Sequence, residues 1–139
     1  HRPNRGVADG SDVRPVGHAA AVAKIVLHMD AAPPAAFSGC IERLGQECRR
    51  MLATVMQAYR ERDEAGARAV AADDDGVDRL EQQIGADILA HLAENPDQIL
   101  TCTHTLWVAH NIERIGDRIT NIAERVVFMA TGQYVDLNR

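Results

Sequence analysis

The stretch ILTCTHTLWVAHNIERIGDRITNIAERVVFMATG, Ile99 to Gly132, decides the fold. It begins just after Asn95-Pro96 and closes on Gly132, the residue type that most readily ends a helix in the left-handed conformation. No proline interrupts it, and its single internal glycine is Gly116. Val108, Ile112, Ile115, Ile119, Ile122, Val126 and Met129 recur at alternating spacings of four and three, which sets them along one side of a helix. The pattern predicts an amphipathic helix ~50 Å long, at 1.5 Å per residue, with that stripe buried.

The opposite face is the informative one. His110, Glu113, Asp117, Asn121 and Glu124 form a polar row roughly opposite the apolar stripe, and Arg114, Arg118 and Arg125 run beside it. A solvated face explains such a pattern in most helices. Two features weigh against it. Glu113 with Asp117, and Arg114 with Arg118, are like charges one turn apart, each pair costing a few tenths of a kcal/mol. A row of oxygen ligands at one-turn spacing is also what a hard or borderline cation requires when a neighbouring helix supplies the remaining donors. Spacing alone leaves both readings open.

The run His110-Asn111-Ile112-Glu113-Arg114-Ile115-Gly116-Asp117, continued by Thr120-Asn121-Ile122-Ala123-Glu124-Arg125-Val126, resembles the signature helix of the PhoU family. That signature is an acidic residue, three others, Asp, three others, Asn, inside a HxERIxDxxxNIAE frame. The resemblance implies an all-α chain built from three-helix repeats that each end in such a helix. It also implies acid rows that bind metal, and a repressing role in phosphate-starvation signalling at a phosphate transporter and its sensor kinase.

Composition bounds the alternatives. A chain of 139 residues with 25% charged and 46% hydrophobic residues is ordinary for one globular domain, and 4% aromatics suits helices better than a sheet. A net charge of -5 argues against a nucleic-acid partner. No apolar run reaches ~18 residues, so no membrane span is expected, and the opening HRPNRGVADGSD lacks the apolar core of a signal peptide. The expected location is the cytoplasm. Cys40, Cys48 and Cys102 are odd in number and show no CxxC spacing, so buried thiols are expected rather than a zinc site or a disulfide framework.

Three helices follow from the remaining pattern. Val13 to Met29 carries a helical stripe through Val16, Ala20, Ala23 and Leu27, and resembles the end of a preceding PhoU-like repeat. Val13, Gly17 and Ala21 stand at its three ligand positions without an oxygen donor, so no metal site carries over there. The Pro33-Pro34 connector leads to a helix from Ser38 to about Arg62, with Ile41, Leu44, Cys48, Met51, Leu52, Val55 and Tyr59 on one face. The next helix has Val70, Val77, Leu80, Ile84, Ile88 and Leu92 as its stripe. Gly76 and Gly85 inside it each cost up to about 1 kcal/mol against Ala, for which close helix packing is one explanation. The expected organisation is a tail and remnant helix over residues 1–37, an antiparallel three-helix repeat over 38–132, and a tail over 133–139.

The middle helix of that three-helix repeat also holds Asp73, Asp74, Asp75 and Asp78, and DDDGVDRLE resembles the family's middle-helix motif. Asp74 and Asp78 lie one turn apart on the shoulder of the apolar stripe, with Asp75 the alternative to Asp74. The metal ligands this implies are Glu113, Asp117, Asn121, Asp74 and Asp78, with Fe, Zn, Mn or Mg as the ion. A solvated acid run is the plainer reading of the same residues. His110 reads as solvent-facing, His104 as a core histidine and Trp107 as half-buried or at a partner surface. No nucleophile–base pair, phosphate-cradling glycine loop or HExxH supports catalysis. The leading expectation is therefore a non-enzymatic regulator that docks on phosphate transporter subunits and a sensor histidine kinase, and forms a homodimer. A helical-bundle metalloenzyme and a phosphotransfer bundle using His110 are the alternatives. The first would use Glu-x-x-His pairs facing the core, whereas His110 and Glu113 stand in the reverse order.

Overall fold

A computed structural model describes residues 34–137. These form α1 (Ala35–Glu61), α2 (Glu64–Glu94) and α3 (Ile99–Thr131), with a 3-10 turn at Pro96–Gln98 and no strand among the described residues. The helix expected over Val13 to Met29, with Val13, Gly17 and Ala21, lies outside them. Each of the three helices packs on the other two, an antiparallel bundle that matches the all-α expectation.

The turns between helices explain the tight folding-back. Arg62 closes α1 in the left-handed region (φ 52°), and its amide donates to the carbonyls of Ala58 and Tyr59. Asp63 then caps α2 by accepting from the Gly66 amide at 3.1 Å, and Glu64 puts a negative charge in the first turn, where the helix dipole favours it. Asn95 ends α2 with both its amide and its side chain on the His91 carbonyl, and Pro96 cannot continue the ladder. Gly132 closes α3 with φ +74°, as its sequence position predicts.

The core is apolar and continuous. Leu44, Met51 and Val55 from α1, Val70, Val77, Ile84 and Ile88 from α2, and Val126 and Val127 from α3 are essentially fully buried. Each such side chain contributes roughly 1.5–3 kcal/mol relative to exposure.

The long helix is turned relative to its apolar pattern. Val108, Ile119 and Val126 are buried, but Ile112, Ile115 and Ile122 are only half-buried and Met129 is exposed. The deepest residues include Cys102, Thr105, Ala109, Gly116, Thr120 and Ala123, a set centred roughly 100° around the helix from the isoleucine stripe, toward the acid row. The reason is that α3 faces two neighbours at once, and its small side chains allow both to approach. Thr105 and Thr120 join this seam cheaply because their hydroxyls donate to the carbonyls of Thr101 and Gly116. Leu52 and Tyr59 of α1, expected inside, are 43% and 48% exposed, because the burial of α1 centres on Leu44, Met51, Val55 and Ala58. Close packing does not account for Gly76 and Gly85, where an added Cβ would meet only Arg79 or Leu106 at ordinary distance. The tight approach is at Gly116.

Candidate metal centre

The rotation of α3 brings its acid row beside α2 instead of leaving it in open solvent. Asp74, Asp75 and Asp78 of α2 and Glu113, Arg114, Asp117, Arg118 and Asn121 of α3 line one pocket of about 410 Å³, with Leu137 at its edge. All five residues named from the sequence as ligands therefore meet. Carboxylate oxygens of Asp74, Asp78 and Asp117 come within 4.8 Å of one another. Asp74 is the buried member, 4% exposed and set within the apolar stripe of α2 rather than on its shoulder. Its neighbour Asp75 also lines the pocket but is exposed.

The electrostatics of the pocket are those of carboxylates forced together. Burial, and then the charges of Asp78 and Asp117, push Asp74 up to about 7, against a smaller opposing effect of its hydrogen bond with Thr120. Glu113 is pushed up to about 8, first by burial, then by hydrogen bonding with Asp78 and by the charge of Asp117. Asp117 is also raised, by burial and by Asp78, with Arg114 and Arg118 offsetting part of the effect. Asp74 Oδ1 and Asp78 Oδ1 are buried with no hydrogen-bond partner among the described residues. Such atoms are costly unless a proton or a cation satisfies them.

This donor set fits a cation. The five expected ligands offer four carboxylates and one amide, without thiolate or imidazole, which suits oxygen-seeking divalent or trivalent ions. Cys48 lies close by but faces the helix seam, where its thiol donates to the Ile112 carbonyl at 3.4 Å.

The histidines stand apart. His110 has 60% of its side chain exposed, with Nδ1 4.0 Å from Glu81 Oε1, and does not line the pocket. The reversed His-x-x-Glu pair therefore does not converge on one site. His104 is half-buried beside the exposed ring of Trp107, and its buried Nδ1 has no partner among the described residues. Sequence reasoning missed Thr120 and Leu137, and it treated Gly116 only as an interruption. The signal for Gly116 was present: Ala109, Gly116 and Ala123 repeat every seven residues along the true seam.

Known proteins show the same architecture. A family profile described as the PhoU domain matches residues 41–126. The phosphate-specific transport system accessory protein PhoU homolog of Caulobacter vibrioides is 38% identical over 110 residues, covering 79% of this chain and 48% of its own length. The homolog of Zymomonas mobilis is 41% identical over 90 residues, 65% of this chain and 38% of its own. The crystal structure of the phosphate transport system regulatory protein PhoU from Streptococcus pneumoniae superimposes with a TM-score of 0.82 at 28% identity, covering 91% of this chain and 60% of that one. The chain spans about half the length of the curated relatives it matches.

Proposed function

The chain belongs to the PhoU family, and on that premise we propose that it is a cytoplasmic regulator of phosphate uptake whose surface is ordered by a bound cation. Asp74, Asp78, Glu113, Asp117 and Asn121 would hold the ion, which when bound supplies positive charge to a pocket otherwise crowded with carboxylates. The observation that carries the metal reading is Asp74, buried to 4% exposure with Oδ1 unsatisfied inside an acid cluster. A carboxylate is seldom retained there without a partner.

The regulatory half of the proposal rests on the relatives, which are named as accessory proteins of a phosphate-specific transport system. The partners it implies are the transporter's own subunits and a sensor histidine kinase, with dampened phosphate-starvation signalling as the outcome. No described helix is long and apolar enough to cross a membrane. A homodimer belongs to the same proposal. Leu52, Met56 and Tyr59 leave an apolar shoulder on α1 that a second copy would cover.

Two measurements test this. Elemental analysis of purified protein, with melts in Mn, Zn or Fe, should show a bound ion and a metal-dependent rise in melting temperature, both absent in Asp117→Ala. Expression in cells lacking their own PhoU should lower a phosphate-starvation reporter, and Asp117→Ala should lower it less. Identical melts with and without each metal would sink the metal reading. An unmoved reporter at normal expression would sink the regulatory one.

A further inference from the structure

We propose that Gly116 is a positioning residue of the acidic pocket: its missing side chain is the space in which the Asp74 carboxylate sits, aimed at the cation. The proposal rests on the metal-binding reading and adds a residue to it that has no ligand atom of its own.

The geometry is direct. A Cβ built on Gly116 would lie 2.8 Å from Asp74 Oδ1, closer than two such atoms can stand. Its other neighbours, Cys48 Sγ at 3.7 Å and Val77 Cγ1 at 3.8 Å, are at ordinary contact distance. The position is therefore closed to a methyl group by one side chain alone, and that side chain is the buried, unsatisfied acid of the pocket. One turn further on, Thr120 completes the cradle. Its hydroxyl donates to the Gly116 carbonyl at 3.2 Å, and its polarity beside the Asp74 carboxylate opposes part of the upward push on that acid. Asp74 thus lies against the turn of α3 that carries Gly116, while Asp78 and Asp117 stand beside it.

This arrangement separates fold from binding. Asp74 Oδ1 is the free end of a side chain, so a methyl group at 116 is accommodated by swinging the carboxylate aside, without moving backbone. Alanine also favours the helix over glycine. Gly116→Ala should therefore leave the metal-free fold as stable as before or firmer, while weakening the pocket. A glycine needed only for helix packing would behave in the opposite way, losing stability on substitution and leaving affinity unchanged in whatever remains folded.

The experiment is a cycle read by calorimetric titration with Mn2+ and by thermal melts of metal-free protein. The four proteins are wild type, Gly116→Ala, Asp74→Ala and the double variant. We expect Gly116→Ala to bind Mn2+ at least ~10-fold more weakly than wild type with an unchanged or higher metal-free melting temperature. In the Asp74→Ala background the same change should alter affinity less than about twofold, because the side chain it displaces is gone. Wild-type affinity in Gly116→Ala, or equal losses in both backgrounds, overturns the positioning role and leaves the metal reading standing. Wild type that binds no Mn2+, Zn2+ or Fe overturns the metal reading itself, and this inference with it.

Discussion

The Cys48 thiol of α1 donates to the main-chain carbonyl of Ile112 on α3, with Sγ and O 3.4 Å apart. The bond pins the two helices together at the level of the acidic pocket. Burial, and then the negative charges of Asp74 and Glu113, push this thiol up to about 12. The thiolate is the reactive form, so Cys48 should be inert in the folded protein.

Thiol titration checks this. Cys48 and Cys102 are buried and Cys40 is half-buried, all three as free thiols. Native protein at pH 8 should react quickly with a disulfide reagent at Cys40 and, within the same time, at neither of the others. All three should react in denaturant. Rapid labelling of Cys48 in the native state, located by peptide mapping, would contradict the helix contact.

The orientation of α3 gives a second expectation. Ala123 is fully buried against the neighbouring helices, while Met129 is 37% exposed. Ala123→Leu forces extra methylenes into a closed seam and should cost about 1–3 kcal/mol. Met129→Ala should cost about 1 kcal/mol or less. Denaturant melts of the pair order them. The reverse order would restore the isoleucine stripe as the seam.

Much of this fold is legible in the sequence because its punctuation is strong. Asn95-Pro96 and Gly132 bracket α3, and the apolar spacing of α1 and α2 finds Leu44, Cys48, Met51, Val55, Val70, Val77, Ile84 and Ile88. The rotation of α3 is not legible from large apolar side chains, since Ile115 and Ile122 mark a flank. What decides the seam is size: Ala109, Gly116 and Ala123 permit a closer approach than isoleucine does. The pocket's members were legible through the family resemblance, which pairs Asp74 and Asp78 with Glu113, Asp117 and Asn121. Composition alone reads the same acids as a solvated face. Their burial depends on two helices meeting, which no single-helix pattern encodes.

The segment after Gly132 offers a third test. Tyr134 stacks on Phe128 with ring centroids 4.3 Å apart, and the Leu137 amide donates to Glu124 Oε2 at 2.8 Å, which carries Leu137 to the pocket's edge. Removing the ring in Tyr134→Ala should loosen this return. Hydrogen exchange at the Leu137 amide should accelerate at least ~10-fold, while amides in the middle of α3 stay as slow as in wild type. Equal protection of Leu137 in both proteins would mean that the Glu124 bond holds the tail without the stack.

The acid pocket sets the sign of the protein's pH dependence. Asp74 and Glu113 hold their protons up to about 7 and about 8 in the folded chain, against 3.8 and 4.5 when unperturbed. Asp117 is displaced in the same direction. Between about pH 4 and pH 8 the folded state therefore binds more protons than the unfolded one, and stability must fall as pH rises. The stabilising contribution is fully present below the unfolded values and is lost as pH climbs through the folded ones. Metal-free protein should melt ~5–10 °C lower at pH 8 than at pH 5, in a domain where 1 kcal/mol moves the midpoint by about 4–8 °C. Excess Mn2+ should invert the slope, because the ion competes with protons for the same oxygens and binds best where they have left. Asp74→Asn removes the most buried of these charges, so its metal-free melt should depend less on pH and its Mn2+ response should shrink. Calorimetric melts at pH 5, 6, 7 and 8, with and without Mn2+, read both slopes. A metal-free midpoint that rises with pH would mean that these carboxylates are ionised and paired in the folded chain, and the crowding described for the pocket would not exist.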